Sequence, residues 1–173
     1  MLISEEYRKE QQRLHATGHY GIVGGELAPE VADLMRDIKA TELLDYGAGS
    51  RLSLKVGLDE LGVTGYEYRP YEPAVPEYAG SPKPSSFVCC IDVLEHIEPE
   101  YLDNVLDDLK RVTQGIGYFT VHTKPAGKWL TDGRNAHLIQ EPPEWWLPKF
   151  TARWNLQEFR ASFKGFMVVV SRK

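Results

Sequence analysis

Apolar and polar positions alternate along the chain with two different periods. The N-terminal stretch SEEYRKEQQRLHAT is predicted to form a helix capped by Ser4, and Pro29 to Lys39 a second helix, with apolar residues at 31, 34, 35 and 38. The segment GHYGIVGGE between them is predicted to be a glycine-rich loop. Residues 1–40 are therefore expected to provide N-terminal helices and a lid loop, in which Tyr20 covers a bound cofactor.

Beyond residue 40, short apolar runs alternate with helical patterns. The predicted order is strand TELLDY, helix LSLKVGLDELG, strand VTGYEYRPYEP, strand SSFVCCIDVL, helix EYLDNVLDDLKRVT, strand IGYFTVHT, helix PPEWWLPKFTARW and a hairpin of LQEFRAS and GFMVVVS. The second strand is expected to stop at Pro70 or Pro73. This order predicts an α/β, Rossmann-like fold: a mostly parallel sheet with helices on both faces and an antiparallel C-terminal strand.

Composition narrows the class of protein. The chain has 173 residues, of which 42% are apolar, so we expect a single domain over 1–173, with its cofactor-binding core at 41–173. The net charge of −5 gives no broad footprint for nucleic acid. The only two cysteines, Cys89 and Cys90, are adjacent, which predicts a reducing, cytoplasmic setting. We expect no membrane crossing, because the chain has no long apolar run and its N-terminus is polar. The oligomeric state stays open.

The segment LLDYGAGS ends the first predicted strand in a glycine turn and indicates a bound cofactor. No lysine follows Gly47 in the frame of a phosphate-binding loop, and Leu52 stands where a dinucleotide fingerprint has its third glycine. S-adenosylmethionine, with its sulfonium cation and amino-acid tail, suits the carboxylate of Asp45. Glycines at 47 and 49 would let the backbone approach it closely.

A second acid is expected to accept hydrogen bonds from the ribose hydroxyls of this cofactor. Glu72 lies 23 residues after Gly49 and directly before Pro73, at the end of the second predicted strand. Glu67 is the alternative acid, but it falls inside that strand.

The segment DVLEHIEPE, taken with DYGAGS and LDDLKRV, resembles the class I S-adenosylmethionine-dependent methyltransferases. The narrower likeness is to small bacterial and phage-encoded members, and it covers nearly the whole chain. The resemblance implies seven strands and methyl transfer that leaves S-adenosylhomocysteine, with the cofactor contacted by Asp45, Gly47, Gly49, Glu72 and Asp92. Only 14 residues, 73–86, separate Glu72 from the next strand, so the family's third strand is expected to be reduced or absent.

The spacing of Asp92, Glu95 and His96 would place all three on one face of a helical turn. It resembles the ExxEH magnesium site of some O-methyltransferases, although Asp replaces the first Glu. The alternative is a local role for each side chain, with Asp92 touching the cofactor. We expect no metal and keep magnesium at these three residues as the alternative.

Methyl transfer to a hydroxyl or amine benefits from a general base. His122, at the end of a predicted strand, is the first candidate and His137 the second. The expected acceptor is a small polar molecule, such as a sugar or another metabolite. A nucleic acid or nucleotide is the alternative, recognised by a basic strip of Lys124, Lys128, Arg134, Lys149 and Arg153. A cofactor-binding protein without transfer activity is the third hypothesis.

Overall fold

The computed structural model describes residues 1–17 and 23–173. Its helices are α1 (Glu5–Ala16), α2 (Val23–Glu26), α3 (Ala28–Ile38), α4 (Ser53–Glu60), α5 (Leu102–Val112) and α6 (Pro143–Arg153). The Ser4 side chain caps α1 by accepting a hydrogen bond from the Tyr7 amide, as predicted. Helix α2 corrects the prediction of a loop at its position, whereas Tyr20 and its predicted lid role lie outside the described residues.

Six strands form one sheet in the order β2-β1-β3-β4-β6-β5. They are β1 (Glu42–Tyr46), β2 (Glu67–Tyr71), β3 (Ser85–Ile91), β4 (Thr113–His122), β5 (Trp154–Ala161) and β6 (Gly165–Arg172). Strands β2, β1, β3 and β4 pair in parallel, and β6 runs antiparallel to both β4 and β5. The predicted fold class, including the final hairpin, is confirmed.

The crossover from β2 to β3 contains a single 3-10 turn, Pro76–Tyr78, and no strand within the described sheet. The prediction that the family's third strand is reduced or absent is therefore confirmed, and β2 lies at the edge of the sheet. Pro70 is part of β2, which corrects the prediction that it could end this strand. An edge strand tolerates proline because one side of its backbone has no neighbour to receive an N–H.

Helices cover both faces of the sheet. On one face α5 and α6 pack through side chains such as Leu106 and Trp146. On the other face α3 and α4 pack through Val31 and Leu58. Successive side chains of β3 point to opposite faces of the sheet. The free thiols of Cys89 and Cys90 therefore lie in the cores on opposite faces. Among the described helices, none has the length and apolar character that crossing a membrane requires.

Candidate functional site

A cavity of about 640 Å³ opens at the carboxyl ends of the parallel strands. Its volume falls in the range of about 300–1,000 Å³ that is usual for small-molecule sites. The cavity brings together the described residues that the sequence nominated for the cofactor and for catalysis: Asp45, Gly47, Gly49, Glu72, Asp92, His122 and His137. Parallel strands end at this edge, which explains why segments far apart in sequence meet here.

The glycine turn after β1 takes a backbone shape that other residues rarely adopt. Gly47 and Gly49 have φ angles of 85° and 63°. The amides of Gly47 and Ala48 both donate to the carbonyl oxygen of Tyr71, at 2.8 and 3.0 Å, so the end of β2 fixes the turn. A Cβ atom on Gly47 would lie 2.3 Å from a methyl group of Val93, which makes glycine obligatory at this position.

Asp45 is a buried carboxyl group at the end of β1. Its Oδ2 accepts a hydrogen bond of 2.5 Å from the Tyr68 hydroxyl of the neighbouring strand. Burial raises the pKa of Asp45 to about 7, against the opposing effect of this hydrogen bond. The group therefore changes charge near neutral pH, next to the space that the cofactor would occupy.

Glu72 is held immediately after β2 by two backbone donors. The amides of Gly49 and Ala74 donate to its two carboxylate oxygens, at 3.3 and 3.1 Å. Burial raises the pKa of Glu72 in spite of these bonds, and the Nε2 atom of His15 on α1 lies 3.8 Å away. Glu67, the alternative acid, is exposed on the edge strand and does not line the cavity.

Asp92 follows β3 in the left-handed region, with φ of 51°. Its amide and Oδ1 atom both bond to the Thr120 hydroxyl, which donates to Oδ1 at 2.6 Å. The 3-10 turn that follows comprises only Leu94–His96. The prediction that Asp92 shares one helical face with Glu95 and His96 is therefore wrong, because the left-handed residue turns the backbone before the helical turn begins.

Glu95 and His96 instead meet His137. These three side chains each offer a ligand atom, and the atoms lie within 4.8 Å of one another. Glu95 is fully buried, and its Oε1 accepts a hydrogen bond from the His122 amide at 2.9 Å. Burial raises the pKa of Glu95 well above its ordinary value. Within the described part of the chain, Asp92 is not a member of this group.

Three imidazole rings share the acceptor side of the cavity. The ring centre of His137 lies 4.7 Å from that of His96 and 4.8 Å from that of His122. Burial lowers the pKa of His96 to about 3 and also lowers the pKa of His137, so burial favours the neutral form of both rings. His122 is only partly buried, and its Nδ1 lies 3.2 Å from the amide nitrogen and from the carbonyl oxygen of Lys124.

The loop after β4 positions His137 through Asn135. The Asn135 amide group exchanges two hydrogen bonds of 2.9 Å with the backbone of Ala126, and its Oδ1 also accepts from the His137 amide at 3.0 Å. Sequence analysis did not assign this positioning role to Asn135. The run DGRN indicates a turn, but the long-range pairing with Ala126 has no local signal.

Helix α1 closes the cavity from above. Its residues Tyr7, Gln11 and His15 line the cavity. The helix is anchored where the Tyr7 hydroxyl donates to the carbonyl oxygen of His96 at 2.6 Å, and where the Ser4 hydroxyl donates to Glu98 at 2.6 Å. Sequence analysis did not assign any of these residues to the site, and the bonds of Ser4 and Tyr7 join segments about 90 residues apart, which leave no local signal.

Two of the five residues in the predicted basic strip pair with local acids. Arg134 pairs with Asp132, whereas Arg153 pairs with Asp103 and Asp107. The ammonium group of Lys149 lies 4.2 Å from the ring centre of Trp145. These contacts leave less free positive charge than the sequence alone indicates.

No protein-family model matches the chain, and no curated protein matches it. Several solved structures are similar to the chain. The chain is similar to the 1,6-didemethyltoxoflavin-N1-methyltransferase of Burkholderia thailandensis with bound 1,6-didemethyltoxoflavin and S-adenosylhomocysteine (SAH), with 13% identity and a TM-score of 0.66 over 100% of this chain and 92% of that one. It is also similar to DhpI in complex with SAH, with 15% identity and a TM-score of 0.57 over 98% of each chain.

A third similar structure is an O-methyltransferase family protein from Burkholderia thailandensis. The identity is 10% and the TM-score 0.65, over 99% of this chain and 63% of that one. The narrower likeness to small bacterial and phage-encoded members stays a prediction. Together with the strand order and the glycine turn, these similarities show that the chain has the fold of the class I S-adenosylmethionine-dependent methyltransferases.

Proposed function

We propose that this protein is an S-adenosylmethionine-dependent methyltransferase that acts on a hydroxyl or amine of a small polar acceptor. The observation that carries the proposal is the Glu72 carboxylate, held by two backbone amides beside the Gly47–Gly49 turn. Each carboxylate oxygen has two lone pairs, so Glu72 can accept both ribose hydroxyls without releasing its backbone donors. The similar structures with bound SAH support this assignment of the cofactor.

The sulfonium and the amino-acid tail of the cofactor are expected next to Asp45 and Asp92, which line the same cavity. The pKa of Asp45 is about 7. A cationic ligand beside this carboxyl group would lower its pKa and favour the ionised form. The cofactor supplies an electrophilic methyl carbon, which the acceptor attacks in line as the carbon–sulfur bond breaks. The bonding electron pair stays on sulfur, and positioning by the cavity supplies much of the rate.

We assign His122 as the base that takes the acceptor proton. Nδ1 of His122 faces both the carbonyl oxygen and the amide of Lys124, and in the tautomer that donates from Nδ1 to the carbonyl oxygen, Nε2 carries the lone pair. His122 is only partly buried, so it can pass the proton on to solvent. His137, the second candidate, is buried and fixed by Lys124 and Asn135, which suits a binding role better.

A small acceptor is favoured over a nucleic acid because α1 and the loop after β4 narrow the cavity from above. The neutralised Arg134 and Arg153 support the same choice. If RNA or DNA were the substrate, its binding would weaken steeply as salt is raised.

Calorimetric titration with S-adenosylmethionine, NAD and ATP tests the cofactor. We expect only S-adenosylmethionine to bind the wild type. Glu72→Ala should bind it roughly 10- to 100-fold more weakly, because hydrogen bonds to a charged group contribute about 1.5–3 kcal/mol. Glu67→Ala is the matched control, since it removes an exposed acid from the same edge of the sheet and should leave affinity unchanged.

Binding of NAD or ATP in place of S-adenosylmethionine would contradict the proposal. Thermal unfolding of Glu72→Ala and Glu72→Gln separates loss of the ribose contact from loss of the fold. A screen of small hydroxyl- and amine-bearing metabolites with methyl-labelled cofactor would then identify the acceptor.

A further inference from the structure

Glu95 is a buried acid that the proposed methyl transfer does not use. Glu95 has no exposed surface, and its Oε2 atom has no hydrogen-bond partner in the part of the chain that the structure describes. Burying an unpaired carboxyl oxygen is costly, so such an atom indicates a ligand that completes its contacts. His96 and His137 offer ligand atoms close to Glu95 that could share such a partner.

Both histidines are oriented by backbone carbonyl oxygens. Nδ1 of His96 lies 2.7 Å from the carbonyl oxygen of Ala136, and Nδ1 of His137 lies 2.6 Å from that of Lys124. A carbonyl oxygen can only accept, so each Nδ1 carries the proton and each Nε2 carries a lone pair. A hydrogen bond from the second ring nitrogen to a carbonyl is the usual support of a histidine that binds a metal.

The spacing of the three groups suits a single ion. Their ligand atoms lie within 4.8 Å of one another. An ion at about 2.1 Å from each ligand holds them at most about 4.2 Å apart, so side-chain movements of less than about 1 Å would complete the site. Three protein ligands leave positions on the ion open for an oxygen of another molecule.

We propose that Glu95, His96 and His137 bind one divalent transition-metal ion of the zinc class, on the acceptor side of the cavity. Two imidazoles and one carboxylate favour such an ion over Mg²⁺, which prefers oxygen ligands. This ligand set replaces the one expected from the sequence, because Asp92 is bonded to Thr120 and His137 takes its place.

The role of the ion rests on the proposed function. His96 and His137 line the cavity together with His122, so an acceptor oxygen could occupy an open position of the ion within reach of the base. Coordination would orient the hydroxyl and lower its pKa, and the proton would pass to His122 as the new carbon–oxygen bond forms. This chemistry narrows the acceptor class to molecules with a hydroxyl group.

The test is the metal content of the purified protein, followed by titration of the chelator-treated protein with Zn²⁺, Mn²⁺ and Mg²⁺. We expect one Zn²⁺ per chain and weaker binding of Mg²⁺. His137→Ala and Glu95→Gln should each weaken Zn²⁺ binding at least 10-fold. His122→Ala is the matched control, because it removes a neighbouring imidazole outside the ligand set and should still bind one ion.

Replacement of Zn²⁺ by Co²⁺ gives a second readout, an absorption spectrum that reports imidazole coordination and should be lost in His137→Ala. Absence of stoichiometric binding to the wild type, equal binding by His137→Ala, or preference for Mg²⁺ would overturn the site. Zn²⁺ binding without S-adenosylmethionine binding would support the site and contradict the proposed function. Binding of S-adenosylmethionine without binding of Zn²⁺ would overturn the metal site and leave the proposed function standing.

Discussion

Asp45 shows at the scale of one residue how the fold changes the chemistry of a predicted group. The sequence nominates it as a plain carboxylate at the end of a strand. In the structure it is 4% exposed and bonded to Tyr68, and its pKa rises from 3.8 to about 7. The cause is desolvation, which depends on side chains from neighbouring strands and so has no signature in the local sequence.

This shift predicts how stability depends on pH. Since the pKa of Asp45 is higher in the folded protein than in the unfolded chain, its contribution to stability is fully present below pH 3.8 and is lost as the pH rises to about 7. The shift corresponds to a loss on the order of 4 kcal/mol. Urea unfolding from pH 4.5 to pH 7.5 should show this slope in the wild type and a flatter one in Asp45→Asn.

Other buried acids, including Glu72, contribute to the same slope. The difference between the wild-type and Asp45→Asn curves therefore isolates Asp45. Curves that run parallel over this range would show that Asp45 keeps an ordinary pKa.

At the scale of elements, periodicity predicts the strands and most helices because burial on one or both faces decides their sequence. Strand β3 is a continuous apolar run, and β6 pairs with the edge strand β5 as a hairpin. The same reasoning fails for residues 92–96, because a single left-handed residue, Asp92, changes the direction of the backbone. It also fails to pair His137 with Glu95, since that contact depends on how the loop after β4 folds back.

The turn between β1 and α4 yields an element-scale prediction. Gly47→Ala should reduce the free energy of unfolding by about 2–4 kcal/mol, combining about 1 kcal/mol for positive φ with about 1–3 kcal/mol for crowding against Val93. It should also displace the turn and weaken cofactor binding. Urea unfolding and calorimetry measure the two effects.

Gly65→Ala is the control for backbone strain. Gly65 has a similar φ of 82°, but an added Cβ would meet nothing within 4 Å. It should therefore lose only about 1 kcal/mol. Adding Val93→Ala to Gly47→Ala should recover part of the lost stability. Equal losses of stability in Gly47→Ala and Gly65→Ala would disprove the crowding argument.

At the scale of the whole molecule, helix α1 connects the cofactor end of the cavity to the acceptor end. His15 lies 3.8 Å from Glu72, whereas Tyr7 bonds to the backbone of His96. The same helix packs on the loop after β4, where the Thr131 hydroxyl donates to Glu10 at 2.6 Å. A ligand in the cavity thus lies under a helix that contacts both the cofactor end and the acceptor end of the site.

Because α1 covers the cavity, bound S-adenosylmethionine should slow hydrogen exchange of the amides in Glu5–Ala16, measured by mass spectrometry. Helix α6 serves as the internal control, since none of its residues lines the cavity and its exchange should not change. Tyr7→Phe removes the bond to His96 and, at about 1 kcal/mol, should speed exchange in α1 about five-fold. Exchange in α1 that is insensitive to both the cofactor and Tyr7→Phe would mean that the helix does not close the site, and the acceptor would then approach an open cavity.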